Sequence, residues 1–479
     1  MSYKPTIGLE IHAELKTASK MFCSCKNDQN ETRPNVNVCP VCMGHPGTLP
    51  VINKQAVKNV IKMGLAVGGK IADFTEWDRK NYFYPDIPKG YQITQYKYPL
   101  VSGGQIDGIE ITRIHLEEDT AKSTHDTGGR SLVDFNRSGL PLMELVTEPV
   151  IHNGKDAVLF AKDLQRLLRY LEAGDANMEK GQMRVEANIS VSKTDTFGTK
   201  TEVKNLNSFK SVEKAIDYEI KRQIKLLDSG EKVIQETRGW DDAKGETYLQ
   251  RVKESSHDYR YFPDPDLPKM MISEIPEFSA DNLSKEIPEL PWAKRERLMK
   301  DFDLKEVDAD LFLDFSEFFV YFEQICYELG NDKKLSKIAL NYLITDYLSL
   351  LKKSNTNSAD IAENINKISV TNFAKLVKMI SGAVVSSRGA KDTLKIMFEK
   401  GGEDSDPEVI AKENGFIQTH DEGEIEKTVA KIISENEKVV AEYKSGKESV
   451  LQFLIGQGMK ATKGSANPEI LMKIFKKLL

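Results

Sequence analysis

Four of the five cysteines lie close together in the sequence, as the pairs Cys23 and Cys25, then Cys39 and Cys42. Two close pairs separated by a short loop can place four thiolates tetrahedrally around one Zn²⁺ ion. Four protein ligands leave no open coordination position, so such a zinc ion would be structural rather than catalytic. The alternative, four unrelated thiols in one loop, stays open because the first pair has the less common C-x-C spacing. The sequence therefore predicts a zinc-binding loop at residues 23–42.

A second group of residues that could bind a metal ion or take part in a reaction consists of acids and one histidine. They lie on segments that alternate like β-strands. In Ile7–Leu15, alternation puts Glu10, His12 and Glu14 on one face. Further acids follow or interrupt other strand-like segments: Glu118, Glu144 and Glu186. Carboxylates with one imidazole suit Mg²⁺ or Mn²⁺, and a cation would offset their mutual repulsion. The alternative is that each acid lies on a solvated strand face, because the sequence does not show which strands are neighbours.

Two basic segments could bind phosphate. In Asp78–Asp86, Arg79 and Lys80 are interleaved with tyrosines, a combination that can hold phosphates and stack a base or ribose. Near the end, Lys460 and Lys463 lie in a turn-rich stretch, and from residue 444 onward there are seven lysines and two acids. A positive module of this kind fits the phosphate backbone of RNA. An aromatic surface loop and a solvated tail with chance lysines are the respective alternatives.

The composition excludes several classes of protein. With 67 basic and 73 acidic residues, the chain has no overall basic footprint for nucleic acid, so RNA contact requires a local patch. There is neither a G-x-x-x-x-G-K-[ST] loop nor a G-x-S-x-G elbow. No apolar run has the length of a membrane span and no signal-peptide pattern is visible, so we expect a cytoplasmic protein without a membrane partner.

The elements that must position these residues follow from periodicity. Strand-like segments are interleaved with helical ones and broken by proline and glycine, which predicts an α+β fold with a mostly antiparallel sheet. The predicted strands are Ile7–Leu15, Ile109–His115, Met183–Ser190 and Lys200–Lys204, and the predicted helices are Lys54–Val67, Lys155–Glu172 and Ser211–Leu227. The segment Pro263–Trp292 carries six prolines and is predicted to be irregular. We expect a cradle domain at 1–292, an all-α domain at 293–405 and a small all-α tail at 406–479.

Eight segments together resemble the GatB/GatE family of tRNA-dependent amidotransferases. They are Ile7–Thr17, Asp78–Asp86, His115–His125, Asn136–Pro149, Arg184–Ser190, Lys204–Ser208, Gln235–Arg238 and Asp258–Pro263. The resemblance covers essentially the whole chain, and the tail is similar to the YqeY-type helical module that ends the family. The chain has no room for the large inserted domain of the archaeal GatE members.

The resemblance implies one component of an ATP-dependent ligase. It would phosphorylate the side-chain carboxylate of Glu or Asp misattached to tRNA(Gln) or tRNA(Asn). Ammonia, released from glutamine by a separate amidase subunit, would then displace the phosphate, with a further small subunit completing a heterotrimer. The absence of an amidase nucleophile motif agrees with that division of labour.

The resemblance also implies roles for individual residues. His12, Glu118 and Glu144 would hold a catalytic Mg²⁺ with Glu10 beside them, and Lys80 and Tyr82 would reach the phosphate or the aminoacyl end. Arg79, Lys204 and Asn205 would line the same cradle and contact ATP, with Glu186 beside them as a catalytic residue. The lysines of the tail, Lys460 and Lys463, are predicted from their own charge and their turn-rich setting to contact tRNA. Zinc at Cys23, Cys25, Cys39 and Cys42 rests on this chain's own thiols.

Two other functions stay open at this point. A non-enzymatic zinc-containing RNA-binding protein would have structural acids and no ATP dependence. A partner-less ATP-grasp-like ligase would act with free ammonia on a free amino acid. The sequence does not show whether Asp-tRNA, Glu-tRNA or both are substrates.

Overall fold

The computed structural model describes residues 2–125, 128–252, 259–354, 364–402, 404–418, 422–444, 449–462, 466 and 468–479. It divides into two compact units, Met1–Lys294 and Arg295–Leu479. Among the described residues, no helix combines the length and the apolar character needed to cross a membrane.

Strands dominate the first unit. Their bounds are β1 Lys4–Glu14, β2 Lys70–Ile71, β3 Phe74–Thr75, β4 Asp78–Asn81, β5 Tyr91–Thr94, β6 Val101–Ser102, β7 Gln105–Ile106, β8 Ile109–Glu118, β9 Lys122–His125, β10 Ser131–Asp134, β11 Pro141–Thr147, β12 Met183–Ser192, β13 Thr201–Leu206, β14 Glu236–Asp241, β15 Glu246–Val252, β16 Phe262–Pro263 and β17 Met270–Met271. Thirteen of them form one sheet, in which ten strands follow the order β15-β14-β13-β12-β1-β11-β8-β5-β4-β16. The other three lie off this path: β6 and β7 pair with β8, and β2 pairs with β6. Among the described strands, β13 and β14 are the one parallel pair. The predicted α+β fold with a mostly antiparallel sheet is confirmed.

Helices cover one face of this sheet. Their bounds are α1 Lys54–Ala66, α2 Gly154–Tyr170, α3 Phe209–Asp228 and α4 Ala280–Ser284. Asn53, Asn153 and Ser208 cap α1, α2 and α3, each accepting a hydrogen bond from a first-turn backbone N–H. The apolar sides of the helices share one core with the odd-numbered residues of β1, Ile7 to Ala13. Because side chains alternate along a strand, the even-numbered residues of β1 face the other side.

The proline-rich segment 263–292 is more regular than the sequence predicts. It contains α4, the two-residue strand β17 and two short 3₁₀ turns, at Ile272–Glu274 and Pro276–Phe278. Strand β17 pairs with β3, and β16 pairs with β4 at the edge of the large sheet. Three of the prolines fit these elements, because Pro263 ends an edge strand and Pro276 and Pro291 each start a helical turn.

The second unit is helical throughout its described part. Helix α5 starts at the end of the first unit, and the bounds are α5 Pro291–Phe302, α6 Glu306–Asp314, α7 Ser316–Glu328, α8 Lys333–Tyr342, a π-helical turn Leu343–Tyr347, α9 Leu348–Ser354, a 3₁₀ turn Ile365–Lys367, α10 Val370–Ser381, α11 Ser387–Lys400, α12 Pro407–Glu413, α13 Glu422–Glu435, α14 Glu437–Lys444, α15 Val450–Ala461 and α16 Pro468–Leu478. Phe373, Leu376 and Val377 are buried on one face of α10, and Ile380 on the same face is partly buried. All-α character of this half is thus confirmed.

Two separate apolar clusters form in this helical unit. The first extends from Leu298 to Ala411 and includes Ile410 of α12, whereas the second begins at Ile425 and ends at Phe475. The start predicted for the tail, residue 406, therefore falls inside the first cluster. The division of the chain at Lys294 falls two residues after the predicted end of the cradle domain.

Candidate functional site

Four charged or titratable side chains form a row across adjacent strands. The register aligns Arg184 of β12 with His12 of β1, His12 with Glu144 of β11, and Glu144 with His115 of β8. Residues directly opposite each other in antiparallel strands share a face, so all four point to the same side. The solvated-face alternative for the acids is wrong for Glu144, which is buried, as is the neighbouring His115.

His12 lies at the centre of a group of carboxylates. Its Nε2 atom is 3.4 Å from Glu144 Oε2, 3.5 Å from Glu117 Oε1 and 4.0 Å from Glu10 Oε1. Burial alone would lower the pKa of His12, but the hydrogen bond and charge of Glu144 raise it to about 9. Burial and the neighbouring Glu144 raise the pKa of Glu117 to about 7. This electrostatic pattern shows acids crowded together at a cost that a cation would offset.

The second histidine behaves differently. Burial lowers the pKa of His115 to about 4, despite the nearby Glu144. Its Nε2 atom is 3.6 Å from Glu144 Oε2, and its buried Nδ1 atom has no hydrogen-bond partner among the described residues. Ligand atoms of Glu10, His12 and Glu144 lie within 4.8 Å of one another, and so do those of His115, Glu117 and Glu144. Oxygen donors with imidazole fit a divalent cation such as Mg²⁺ or Mn²⁺.

The structure brings Glu117, not the predicted Glu118, to His12 and Glu144. Because β8 alternates, Glu117 and Glu118 point to opposite faces of the sheet. Glu118 instead accepts hydrogen bonds from Lys89 at 2.6 Å and from the backbone N–H of Ile93 at 2.9 Å. Glu118 therefore lies in a buried ion pair on the other face, and Glu117 is the acid of β8 that lies beside His12.

A second acid group continues the site toward β13. Ligand atoms of Glu10, Glu186 and Glu202 lie within 4.8 Å of one another. The Lys204 ammonium is 2.6 Å from Glu186 and 3.9 Å from Glu202. The predicted Asn205 has a positive φ of 63° and an exposed side chain, and it does not line the open cleft beside this group. Glu202 lies in the predicted strand Lys200–Lys204, but it was missed because it falls outside the segments that carry the family resemblance.

This open cleft, of about 220 Å³, connects the two acid groups. Lys80 also lines this cleft, with Nζ 5.0 Å from the ring centre of Tyr259 and 5.9 Å from that of Tyr82. Burial opposes its charge, but Glu117 outweighs burial and the pKa of Lys80 is raised. The other described lining residues are Glu10, Thr94, Gln95, Tyr96, Arg113, His115, Glu117, Glu144, Glu202, Lys204, Arg251 and Tyr261.

The neighbouring basic residue, Arg79, does not reach this cleft. It alternates with Lys80 on β4, and its guanidinium pairs with Asp264 at 2.7 Å and Asp266 at 3.0 Å. The guanidinium carbon also lies 4.3 Å from the ring centre of Tyr91. These pairings hold the guanidinium beside β16 and Tyr91, and the contact of Arg79 with ATP stays a prediction.

The four cysteines converge as the spacing predicts. The sulfur atoms of Cys23, Cys25, Cys39 and Cys42 all lie within 4.8 Å of one another and could hold a metal ion. A hydrogen bond from Cys23 lowers the pKa of Cys42 to about 4, and the Lys20 ammonium lies 3.8 Å from the Cys42 sulfur. A thiolate set of this kind fits zinc.

Lys460 and Lys463 belong to the helical unit. Lys460 is exposed in the last turn of α15, while Lys463 lies outside the described residues.

The first unit, which contains this cleft of carboxylates, imidazole and lysine, and the helical unit both match models of a known protein family. The GatB/GatE catalytic domain matches residues 5–276, and the GatB domain that ends such proteins matches residues 320–479. The chain therefore belongs to the GatB/GatE family.

Relatives match along their whole length. The chain is 44% identical to the B subunit of an aspartyl/glutamyl-tRNA(Asn/Gln) amidotransferase from Thermoanaerobacter pseudethanolicus, with all of both chains covered. Proteins of the same name from Thermodesulfovibrio yellowstonii and Dehalococcoides mccartyi strain CBDB1 are 42% and 45% identical; all of this chain is covered, with 100% and 99% of those proteins, respectively.

Proposed function

We propose that this protein is the B subunit of a tRNA-dependent amidotransferase. It would use ATP to phosphorylate the side-chain carboxylate of Glu or Asp misattached to tRNA(Gln) or tRNA(Asn), and the acyl phosphate would then react with ammonia. The products would be Gln-tRNA(Gln) and Asn-tRNA(Asn) for translation, which makes the cytoplasm the expected location. The observation that carries the proposal is the His12, Glu117 and Glu144 group facing Lys80 in a family member with full-length amidotransferase relatives.

The chemistry explains why such a site needs both acids and a lysine. A carboxylate is a poor electrophile because it would have to expel oxide or hydroxide, whereas an acyl phosphate has a good leaving group. Phosphoryl transfer depends mainly on positioning and on neutralising phosphate charge. Bound Mg²⁺ would supply that neutralisation as a Lewis acid, held by His12, Glu117 and Glu144.

The other cleft residues suit the remaining tasks. The pKa of Lys80 is raised by its acidic neighbours, so its ammonium stays charged and can hold a phosphate oxygen. Tyr82 and Tyr259 shield it from solvent and leave a tyrosine-lined wall for the aminoacyl end. Lys204, between Glu186 and Glu202, lies across the cleft and is our candidate for a second phosphate contact. Glu10 adds to both acid groups.

The relatives' name supports a complex with other subunits, and we propose two partners for this chain, an amidase and a further small protein that completes the heterotrimer. The amidase would release ammonia from glutamine, since the chain has no motif for an amidase nucleophile. Structural zinc would bind the four cysteines, and the helical tail, with Lys460 and Lys463, would contact tRNA.

An assay of the purified complex tests this proposal. With glutamine, Mg²⁺ and ATP, the complex should convert Glu-tRNA(Gln) or Asp-tRNA(Asn) into the amide, with one ADP formed per amide. Omitting ATP should stop amide formation while glutamine hydrolysis persists. Amide formation without ATP, or ATP cleavage without dependence on misacylated tRNA, would contradict the proposal.

A further inference from the structure

A threonine on β14 donates a hydrogen bond to one member of the second acid group, Glu202. The parallel pairing of β13 and β14 places Thr237 opposite Glu202. The hydroxyl of Thr237 donates a hydrogen bond of 2.8 Å to Glu202 Oε2. Both residues are almost fully buried, with 1% and 5% of their surface exposed. A buried hydrogen bond to a carboxylate restricts the rotation of that carboxylate.

The other oxygen of Glu202 points to the cleft. Glu202 Oε1 is 3.9 Å from Lys204 Nζ, which in turn is 2.6 Å from Glu186. Thr237 contacts Oε2, whereas Oε1 is the oxygen that lies nearer to Lys204. Glu202 therefore connects the Lys204 ammonium of the cleft with a hydroxyl that does not line the cleft.

The strand carrying Thr237 is held firmly in place. Its neighbours Glu236 and Arg238 pair with each other at 2.7 Å, and Arg222 of α3 is 3.3 Å from Glu236. The pairing of β14 with β15 shifts register between Thr237 and Arg238. Irregularities of this kind re-aim side chains and occur often beside active sites. The ion pair between Glu236 and Arg222 thus anchors this part of β14 to helix α3, beside the Thr237 hydroxyl that contacts Glu202.

We infer that Thr237 is a positioning residue, which holds Glu202 so that Glu202 and Glu186 together orient Lys204 toward a phosphate in the cleft. The inference rests on the proposed function, because it takes the nucleotide phosphates as the group that Lys204 meets. It assigns Thr237 no contact with the substrate.

Variants of the co-purified complex test this role. Thr237→Val removes the hydroxyl while keeping the shape, and Thr237→Ser keeps the hydroxyl. Thr201→Val is a matched control, because Thr201 is fully buried on the adjacent strand and its hydroxyl has no hydrogen-bond partner among the described residues. The measurements are KM for ATP, KM for aminoacyl-tRNA, kcat and the melting temperature.

We expect Thr237→Val to raise KM for ATP about tenfold, the effect of losing one positioning hydrogen bond to a charged group. KM for aminoacyl-tRNA should stay unchanged, Thr237→Ser should restore KM for ATP to within about threefold of wild type, and Thr201→Val should match wild type. Glu202→Gln and the double variant Glu202→Gln/Thr237→Val should have the same KM for ATP, since Thr237 acts through Glu202.

Three results would overturn the inference: equal KM for ATP in Thr237→Val and Thr201→Val, equal losses in the Val and Ser variants, or additive losses in the double variant. A wild-type complex without ATP-dependent amidation would instead refute the proposed function. In that case a crystal structure of Thr237→Val still tests the positioning, because an unmoved Glu202 carboxylate would contradict it.

Discussion

Glu117 and Glu118 are adjacent on β8 but belong to the candidate metal site and to a buried ion pair, respectively. Substituting each of them with glutamine in turn distinguishes these two roles. Glu118 and Lys89 are 2.6 Å apart with side chains only 5% and 10% exposed. At that separation the gross attraction is about 6 kcal/mol for an effective dielectric constant of about 20. Breaking a buried pair leaves an uncompensated charge and costs about 3–5 kcal/mol. Glu118→Gln keeps a carbonyl oxygen for the N–H of Ile93, so we expect a loss of about 3 kcal/mol.

Glu117→Gln should behave in the opposite way. Glu117 lies near Glu144 and its pKa is raised by burial and by that carboxylate, so a neutral amide relieves repulsion in the metal-free protein. Its free energy of unfolding without Mg²⁺ should equal or exceed that of wild type. Its amidation rate should fall by at least about a hundredfold, because a ligand of the cation is lost.

Tryptophan fluorescence gives the stability of the relevant unit alone. All three tryptophans, Trp77, Trp240 and Trp292, lie in the first unit. Urea unfolding followed at these residues gives the free energy, and ATP-dependent amide formation per folded molecule gives the activity. A stable but inactive Glu118→Gln variant together with an active Glu117→Gln variant would refute the proposal that Glu117 binds the cation. That result would favour Glu118 as the ligand.

Three further predictions follow from the other sites. Elemental analysis should find about one zinc per chain. Replacing Cys39 and Cys42 with serine should lower the melting temperature more than it lowers the turnover of the protein that remains folded. A zinc-free preparation of normal stability would contradict a structural zinc site. The chain purified without its partners should be inactive with glutamine but should form amide with concentrated ammonium, and glutamine-dependent activity would show an overlooked nucleophile. Deleting residues 419–479 should raise KM for aminoacyl-tRNA and flatten its salt dependence, because lysine–phosphate contacts are lost; an unchanged salt slope would leave the tail without a role in tRNA binding.

Local sequence patterns correctly predicted part of each candidate metal site. Period-two spacing correctly put Glu10 and His12 on one face of β1, and the cysteine spacing correctly predicted four converging thiols. Both patterns are local, since they depend only on backbone geometry over a few residues or on one short loop. The α+β class and its antiparallel character were predictable for the same reason.

The resemblance did not predict which acid of β8 lies beside His12 and Glu144. The choice between Glu117 and Glu118 depends on the register between β8 and β11, and a shift of one residue exchanges the two faces of a strand. Long-range folding likewise pairs Arg79 with two aspartates contributed by a segment more than 180 residues away.

The sequence by itself determined which residue types were available and how each strand and helix would alternate. Only the tertiary structure decided that Glu144 lies beside His12 and that Thr237 meets Glu202, because those contacts join strands far apart in the chain. Local backbone preferences define faces, whereas strand order and register define neighbours, and register follows from burying all the apolar faces together in one core.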